Sequence, residues 1–373
     1  MSASSTAASP QAARSQVTGM VLVGPSRLEQ QAFARPMLSG DDAVLQVEAT
    51  GLCGSDLARY TGSRGPLPPM ILGHEIVGRI DAIDSIAARR WSVDVGDRVV
   101  IEEALPCGAC DYCTNGMHRL CSRSGLRYGQ TSVEVNPALW GGFAEAMYLH
   151  PLTRLHKVPK GVDAAVATLY IPVSNAYGWL LDAGQFRAGD DVVILGPGLH
   201  GLCASIVAVL IGAHSVTLVG QSGDERRLRF AERFGVRTLD IGAGRDNATA
   251  ILEGLGEGAD IVLDLVPGPQ EGLALAIELA RPAGRVVVAG VKKPQTSVSL
   301  PSMLMLQNEV TLRGVWARPS WAITRALQLL ASEPRFADLI EDHYPLDRAG
   351  AALDDMQSSH RSLHGVVVPQ HER

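Results

Sequence analysis

Leu195-Gly196-Pro197-Gly198-Leu199-His200-Gly201 decides the reading of this chain, because it spells G-x-G-x-x-G between two apolar runs. Before it stands Asp191-Val192-Val193-Ile194, β-branched and strand-like; after it, Leu202 to Leu210 is long enough for a buried helix. A second apolar run, Val216-Thr217-Leu218-Val219, follows within one βαβ length. Three glycines alone mark any tight strand-to-helix turn. In this setting they read as a dinucleotide fingerprint: Gly196 for the turn, Gly198 for close approach of a pyrophosphate, Gly201 for packing helix on strand. Leu199 and His200 open the helix, whose free N–H groups and partial positive charge suit phosphates.

Outward from this turn, strand-length apolar runs recur at 191–195, 216–219, 260–265, 285–290 and 310–315. Helix-like segments lie near 199–212, 224–235, 245–254, 269–281 and 299–308. That alternation predicts a doubly wound parallel sheet. Residues 17 to about 165 read as β, with alternating segments such as Ala43–Ala49 and Phe143–Leu149 and frequent glycine and proline. A helix over Pro319–Ala331 follows the second region, and Gly365–Val368 reads as a strand returning to the first. The expected class is α/β, a mainly-β, barrel-like domain plus a doubly wound parallel-sheet domain.

The chain has 373 residues, enough for two domains. Hydrophobic residues make up 46% and charged residues 19%, as in a soluble globular protein. A net charge of −6 argues against nucleic acid or an anionic membrane as partner. The stretch Val192–Gly220 holds no Asp, Glu, Lys or Arg, but its glycines and Pro197 break any membrane span. Residues 1–16 are Ser/Ala-rich with no apolar core, which predicts a disordered tail rather than a secretory signal, and a cytoplasmic location.

Four of the six cysteines cluster as Cys107, Cys110, Cys113 and Cys121, spaced C-x2-C-x2-C-x7-C. Such spacing lets one loop (102–122) wrap a tetrahedral metal, and four thiolates close its shell. Structural zinc is expected; an iron–sulfur cluster or four bare thiols are the alternatives. Cys53-Gly54-Ser55-Asp56 and Gly73-His74-Glu75 suggest a second, open zinc site. Cys53 and His74 suit zinc, Ser55 is placed to relay a proton, and Asp56 to hydrogen-bond the second nitrogen of His74.

Together, Cys53-Gly-Ser-Asp56, Gly73-His-Glu-x-x-Gly78, Val95-Gly-Asp-Arg-Val99, the four-cysteine lobe and Gly196-x-Gly-x-x-Gly201 stand in the order seen in one family. From about residue 20 the chain resembles the zinc-dependent medium-chain alcohol/polyol dehydrogenases. The resemblance implies a GroES-like catalytic domain (17–168 and 316–373) and a Rossmann domain (169–315), with the active site between them. It implies reversible hydride transfer between a carbinol carbon and a nicotinamide, on a small alcohol or ketone substrate. It also implies backbone contacts to nicotinamide at Val266, Gly290 and Val291, and a homo-oligomer through the strands near 300–315.

Three positions depart from the family pattern. Where members carry a further zinc ligand this chain has Ile171, so Cys53, His74 and Glu75 are expected to hold the catalytic zinc with water or substrate fourth; the competing reading keeps Glu75 off the metal and leaves zinc weakly held on Cys53 and His74. The relay histidine of many members is Ala58 here. The strand Val216–Val219 is followed by Gly220 rather than a ribose-binding acid, and Ser222 with Arg226 or Arg227 then suits a 2′-phosphate. NADP is therefore expected over NAD; the competing reading has Asp224 or Glu225 serving the ribose. Trp140, Trp179 and Trp316 are candidate cleft residues, each also at home in a core. The function expected is a zinc-dependent alcohol dehydrogenase for a secondary alcohol or its ketone. Its alternatives are a carbonyl or enoyl reductase with a dispensable zinc, and a cofactor-binding protein with little turnover.

Overall fold

The stretch Ala43–Gly51 alternates apolar and polar residues, and in the computed structural model it becomes a strand at the heart of a seven-stranded sheet. The structure describes residues 16–241, 247–253, 255–267, 271–292, 297–358 and 362–369. Strands before the glycine turn are β1 (Gln16–Gly24), β2 (Arg27–Ala34), β3 (Ala43–Gly51), β4 (Met70–Ile71), β5 (Glu75–Ile83), β6 (Arg98–Ile101), β7 (Ala146–Leu149) and β8 (Leu155–Lys157). Then come β9 (Asp191–Leu195), β10 (Ser215–Gly220), β11 (Arg237–Asp240), β12 (Ala259–Asp264), β13 (Ala280–Val288) and β14 (Thr311–Gly314), and finally β15 (Ile340–Pro345) and β16 (His364–Val368).

The later strands form an all-parallel sheet ordered β11-β10-β9-β12-β13-β14, the doubly wound arrangement. Its order reverses between β9 and β12, so a crevice opens beyond their carboxyl ends, where such sheets bind ligands. The first region carries β15-β16-β3-β5-β6-β8 with β7 on β3, plus a small sheet β2-β1-β4. β16 does return to this region, pairing with β3 through Val366↔Gly51 and Val367↔Thr50.

Three details differ from the sequence reading. Gln16, assigned to the tail, opens β1; the rest of that tail lies outside the described residues. β11 was not expected, because Arg237-Thr238-Leu239-Asp240 shows no apolar run and is only half-buried at one end of the sheet. The helix Tyr170–Tyr177 was missed because every residue in it is buried, leaving no polar face to mark a helical period. That helix joins the two regions: one continuous core runs from Val77 and Val100 through Tyr170, Ile171 and Val173 to Leu202 and Ala322. Among the described residues no helix is long and apolar enough to cross a membrane.

Candidate active site

Cys53 caps the N-terminus of the short helix Gly54–Tyr60, and His74 and Glu75 lead into β5. Gly73 bends the chain there with a φ of +87°, and a Cβ on it would stand 2.7 Å from Thr50 Cγ2 and 2.8 Å from Phe143 Cδ1. The bend brings Cys53 Sγ, a His74 ring nitrogen and a Glu75 oxygen within 4.8 Å of one another. Asp56, fully buried on the same helix, faces His74 Nδ1 at 3.1 Å and accepts from the Gly73 amide at 3.3 Å. The other ring nitrogen, Nε2, is left facing Ser55 Oγ at 3.5 Å, which is also 3.5 Å from Cys53 Sγ.

Both oxygens of Glu75 are buried with no hydrogen-bond partner among the described residues. Burial pushes this carboxyl up to about 7, against the pull of His74. Burial also works against charge on His74, but the charges of Asp56 and Cys53 outweigh it and raise the ring well above its ordinary value. A thiolate, an imidazole and an orphaned carboxylate converging on one point fit a zinc ion, and such buried groups are costly without one.

In the lobe, the Cys110 and Cys113 sulfurs stand 3.5 Å apart, those of Cys110 and Cys121 3.8 Å, and all four lie within 4.8 Å. A tetrahedron with metal–sulfur bonds of about 2.3 Å puts its sulfurs about 3.8 Å apart, so this set fits a closed zinc site.

At the glycine turn each glycine has its own reason. A Cβ on Gly201 would lie 2.0 Å from the Gly196 carbonyl oxygen, whereas one on Gly198 would meet nothing within 4 Å. Gly196 (φ +101°) stands beside Val266, and a Cβ on Gly290 would lie 2.4 Å from the Val266 carbonyl, so these three come together at the carboxyl ends of β9, β12 and β13. The half-buried His200 packs against Trp179, with Nε2 3.0 Å from Asn175 Nδ2, and desolvation lowers its ring to about 4.

Residues 39–160 match the alcohol dehydrogenase GroES-like domain family and residues 201–332 the zinc-binding dehydrogenase family. A protein of Mycobacterium tuberculosis (strain ATCC 25618 / H37Rv), named as a probable alcohol dehydrogenase, is 36% identical over 95% of this chain and 98% of its own. The chain belongs to the zinc-type medium-chain alcohol dehydrogenase family. Alcohol dehydrogenase TADH from Thermus sp. ATN1 shares its fold with a TM-score of 0.84 at 30% identity, covering 95% of this chain and all (100%) of that one. A protein of Sinorhizobium meliloti 1021, classed as a zinc-binding dehydrogenase and solved bound to NADP, does so with a TM-score of 0.84 at 26% identity and the same coverage. The chain is thus an oxidoreductase of the class acting on CH–OH groups.

The departures from this dehydrogenase family have physical causes. Ile171 is a core residue of the helix Tyr170–Tyr177, 3% exposed, and offers no ligand. Gly220 is needed because a Cβ there would come 2.9 Å from Pro197 Cγ in the glycine turn. The nearest acid is Asp224, whose Oδ2 accepts from the Gln221 amide at 3.1 Å. Ser222 is exposed; Arg226 is paired with Glu341, and Arg227 reaches the Ser362 carbonyl at 3.4 Å. Val291 is half-exposed beside the cleft strands. Of the tryptophans, Trp140 and Trp179 are core residues, while Trp316, 54% exposed, lines a cleft with Glu103, Arg127 and Arg318.

Two groups escaped the sequence reading. Arg318, buried, holds Glu103 through two hydrogen bonds of 3.2 and 2.7 Å and keeps that carboxyl low despite its burial. His364 is buried in β16 with Nε2 unpartnered among the described residues, and burial lowers its ring to about 3. No local motif marks either one.

Proposed function

We propose that this dehydrogenase oxidises a secondary alcohol, or reduces the matching ketone, with zinc at Cys53, His74 and Glu75 and NADP(H) as preferred coenzyme. The observation that carries the reading is the convergence of those three ligand atoms within 4.8 Å, with the Ser55 hydroxyl beside them. When bound, zinc supplies Lewis acidity at a substrate oxygen and the nicotinamide supplies or accepts the hydride.

The chain's own groups do the rest. Asp56 accepts from His74 Nδ1–H, which fixes the tautomer and presents the Nε2 lone pair. Ser55 Oγ receives the alcohol proton and passes its own outward, the task that Ala58 cannot perform. Gly196, Gly198, Leu199, His200 and Gly201 seat the pyrophosphate, and Val266, Gly290 and Val291 border the nicotinamide. Cys107, Cys110, Cys113 and Cys121 hold a structural zinc.

Strand β10 ending in Gly220, the exposed Ser222 and the basic pair Arg226 and Arg227 support NADP(H); Asp224 is the group that opposes it. The exposed edge strand β14 supports self-association. Ile171 supports one second reading, a carbonyl reductase that works without the catalytic zinc. Metal analysis with turnover on an alcohol and ketone panel tests both. Two zinc ions per chain, one lost in Cys53→Ser together with turnover, is expected; one zinc per chain and full turnover in Cys53→Ser would overturn the zinc mechanism.

A further inference from the structure

Glu75 and His364 open two strands that never pair with each other, yet both reach the same spot. Gly51 pairs with Glu75 on one side of β3 and with Val366 on the other. Paired residues share a face, and positions two apart on a strand share it too. Glu75, Gly51, Val366 and His364 therefore lie on one face, with a residue that has no side chain between the two functional groups. A Cβ placed on Gly51 would stand 2.4 Å from Glu75 Oε2 and 3.1 Å from His364 Nε2. The space is thus shared by a carboxylate and an imidazole, both buried and both without partners among the described residues.

Two unsatisfied buried groups of complementary type at one point are costly apart and favourable together. Metal-ligating side chains are held by a hydrogen bond from behind. Asp56 already serves His74 in this way at 3.1 Å. Glu75 has no such support from its own strand or from the Gly54–Tyr60 helix.

We infer that His364 is the positioning residue for Glu75: its Nε2–H donates to the carboxylate across Gly51 and leaves the other oxygen to the metal. The inference rests on the three-ligand reading of Cys53, His74 and Glu75. It gives the C-terminal strand a role in the metal site and makes Gly51 the residue that permits it.

The test uses the full-length protein with Co2+ at the Cys53 site and zinc left in the four-cysteine lobe. Ligand-field absorption and chelator-driven cobalt release are recorded without substrate or coenzyme. His364→Ala is expected to alter the absorption bands and speed release roughly 10- to 100-fold. His364→Gln, which keeps an N–H donor, is expected to recover most of both. His364→Leu, which fills the space but offers no donor, is expected to reproduce the His364→Ala spectrum and carries the test if that variant does not fold. Native spectrum and release in His364→Ala, with Glu75→Gln changing both, would overturn the inference while leaving the three-ligand site standing. Native spectrum and release in Glu75→Gln would remove Glu75 from the ligands, and the inference with it.

Discussion

Asp56 Oδ1 stands 3.1 Å from His74 Nδ1 in a fully buried position, so the orientation of the imidazole is set by a carboxylate three residues past Cys53. Asp56→Asn keeps the shape and removes the charge. Metal affinity at the Cys53 site is expected to fall roughly 10- to 100-fold, read by chelator competition, with the four-cysteine zinc retained. Unchanged affinity would mean that Asp56 serves only the Gly73 turn.

The glycines of the nucleotide turn separate folding from binding. A methyl group on Gly201 meets the Gly196 carbonyl at 2.0 Å, whereas one on Gly198 meets nothing within 4 Å. Gly201→Ala is expected to lower both Tm and coenzyme affinity, with overpacking costing about 1–3 kcal/mol. Gly198→Ala is expected to keep Tm and lose coenzyme affinity, because its methyl group projects where the pyrophosphate approaches. Thermal denaturation with coenzyme titration checks the pair; equal Tm losses would refute the distinction.

Arg226 must leave Glu341 to serve a 2′-phosphate. Arg226→Ala is expected to lower kcat/KM for NADP(H) about tenfold, roughly 1.4 kcal/mol, with NAD(H) little changed. A clear preference of the unaltered enzyme for NAD(H) would give the ribose to Asp224 instead.

Cys113 is buried in the lobe, and burial pushes its thiol up to about 12 in the absence of metal. Cys113→Ser is expected to release one zinc per chain and open 102–122 to protease, since a metal held by the four cysteines would stand in for a core there. Retained zinc and native protease resistance would show that three sulfurs suffice.

Glu102 is held at about 2, against an ordinary 4.5: burial opposes its charge, but His156 and Arg154 outweigh that. The folded value lies below the unfolded one. Its contribution, at most about 3 kcal/mol, is full above pH 4.5 and is lost as pH falls toward 2. Glu102→Gln is expected to flatten the fall of Tm across that window; a parallel curve would refute the assignment.

Much of this was readable from the chain. Cys53, His74 and Glu75, which the fold brings within 4.8 Å, stand out in the sequence because metal-ligating residue types are few and two of the three are neighbours. The four cysteines share one loop, and Gly196 to Gly201 are one turn. Other features were hidden for definite reasons. The helix Tyr170–Tyr177 has no exposed face, so no period betrays it. Ser222, Arg226 and Arg227 spell a phosphate site locally, but the engagement of Arg226 with Glu341 depends on a strand far along the chain.

By itself the sequence determined the doubly wound sheet, the glycine turn and the four-cysteine loop, and it singled out Cys53, His74 and Glu75, because each rests on short-range spacing or on strand and helix periods. The tertiary structure alone decided that Ile171 is core, that Gly220 yields to Pro197, and that His364 and Glu75 both border the space over Gly51. Those facts follow from sheet register and close packing, which join residues that no local pattern connects.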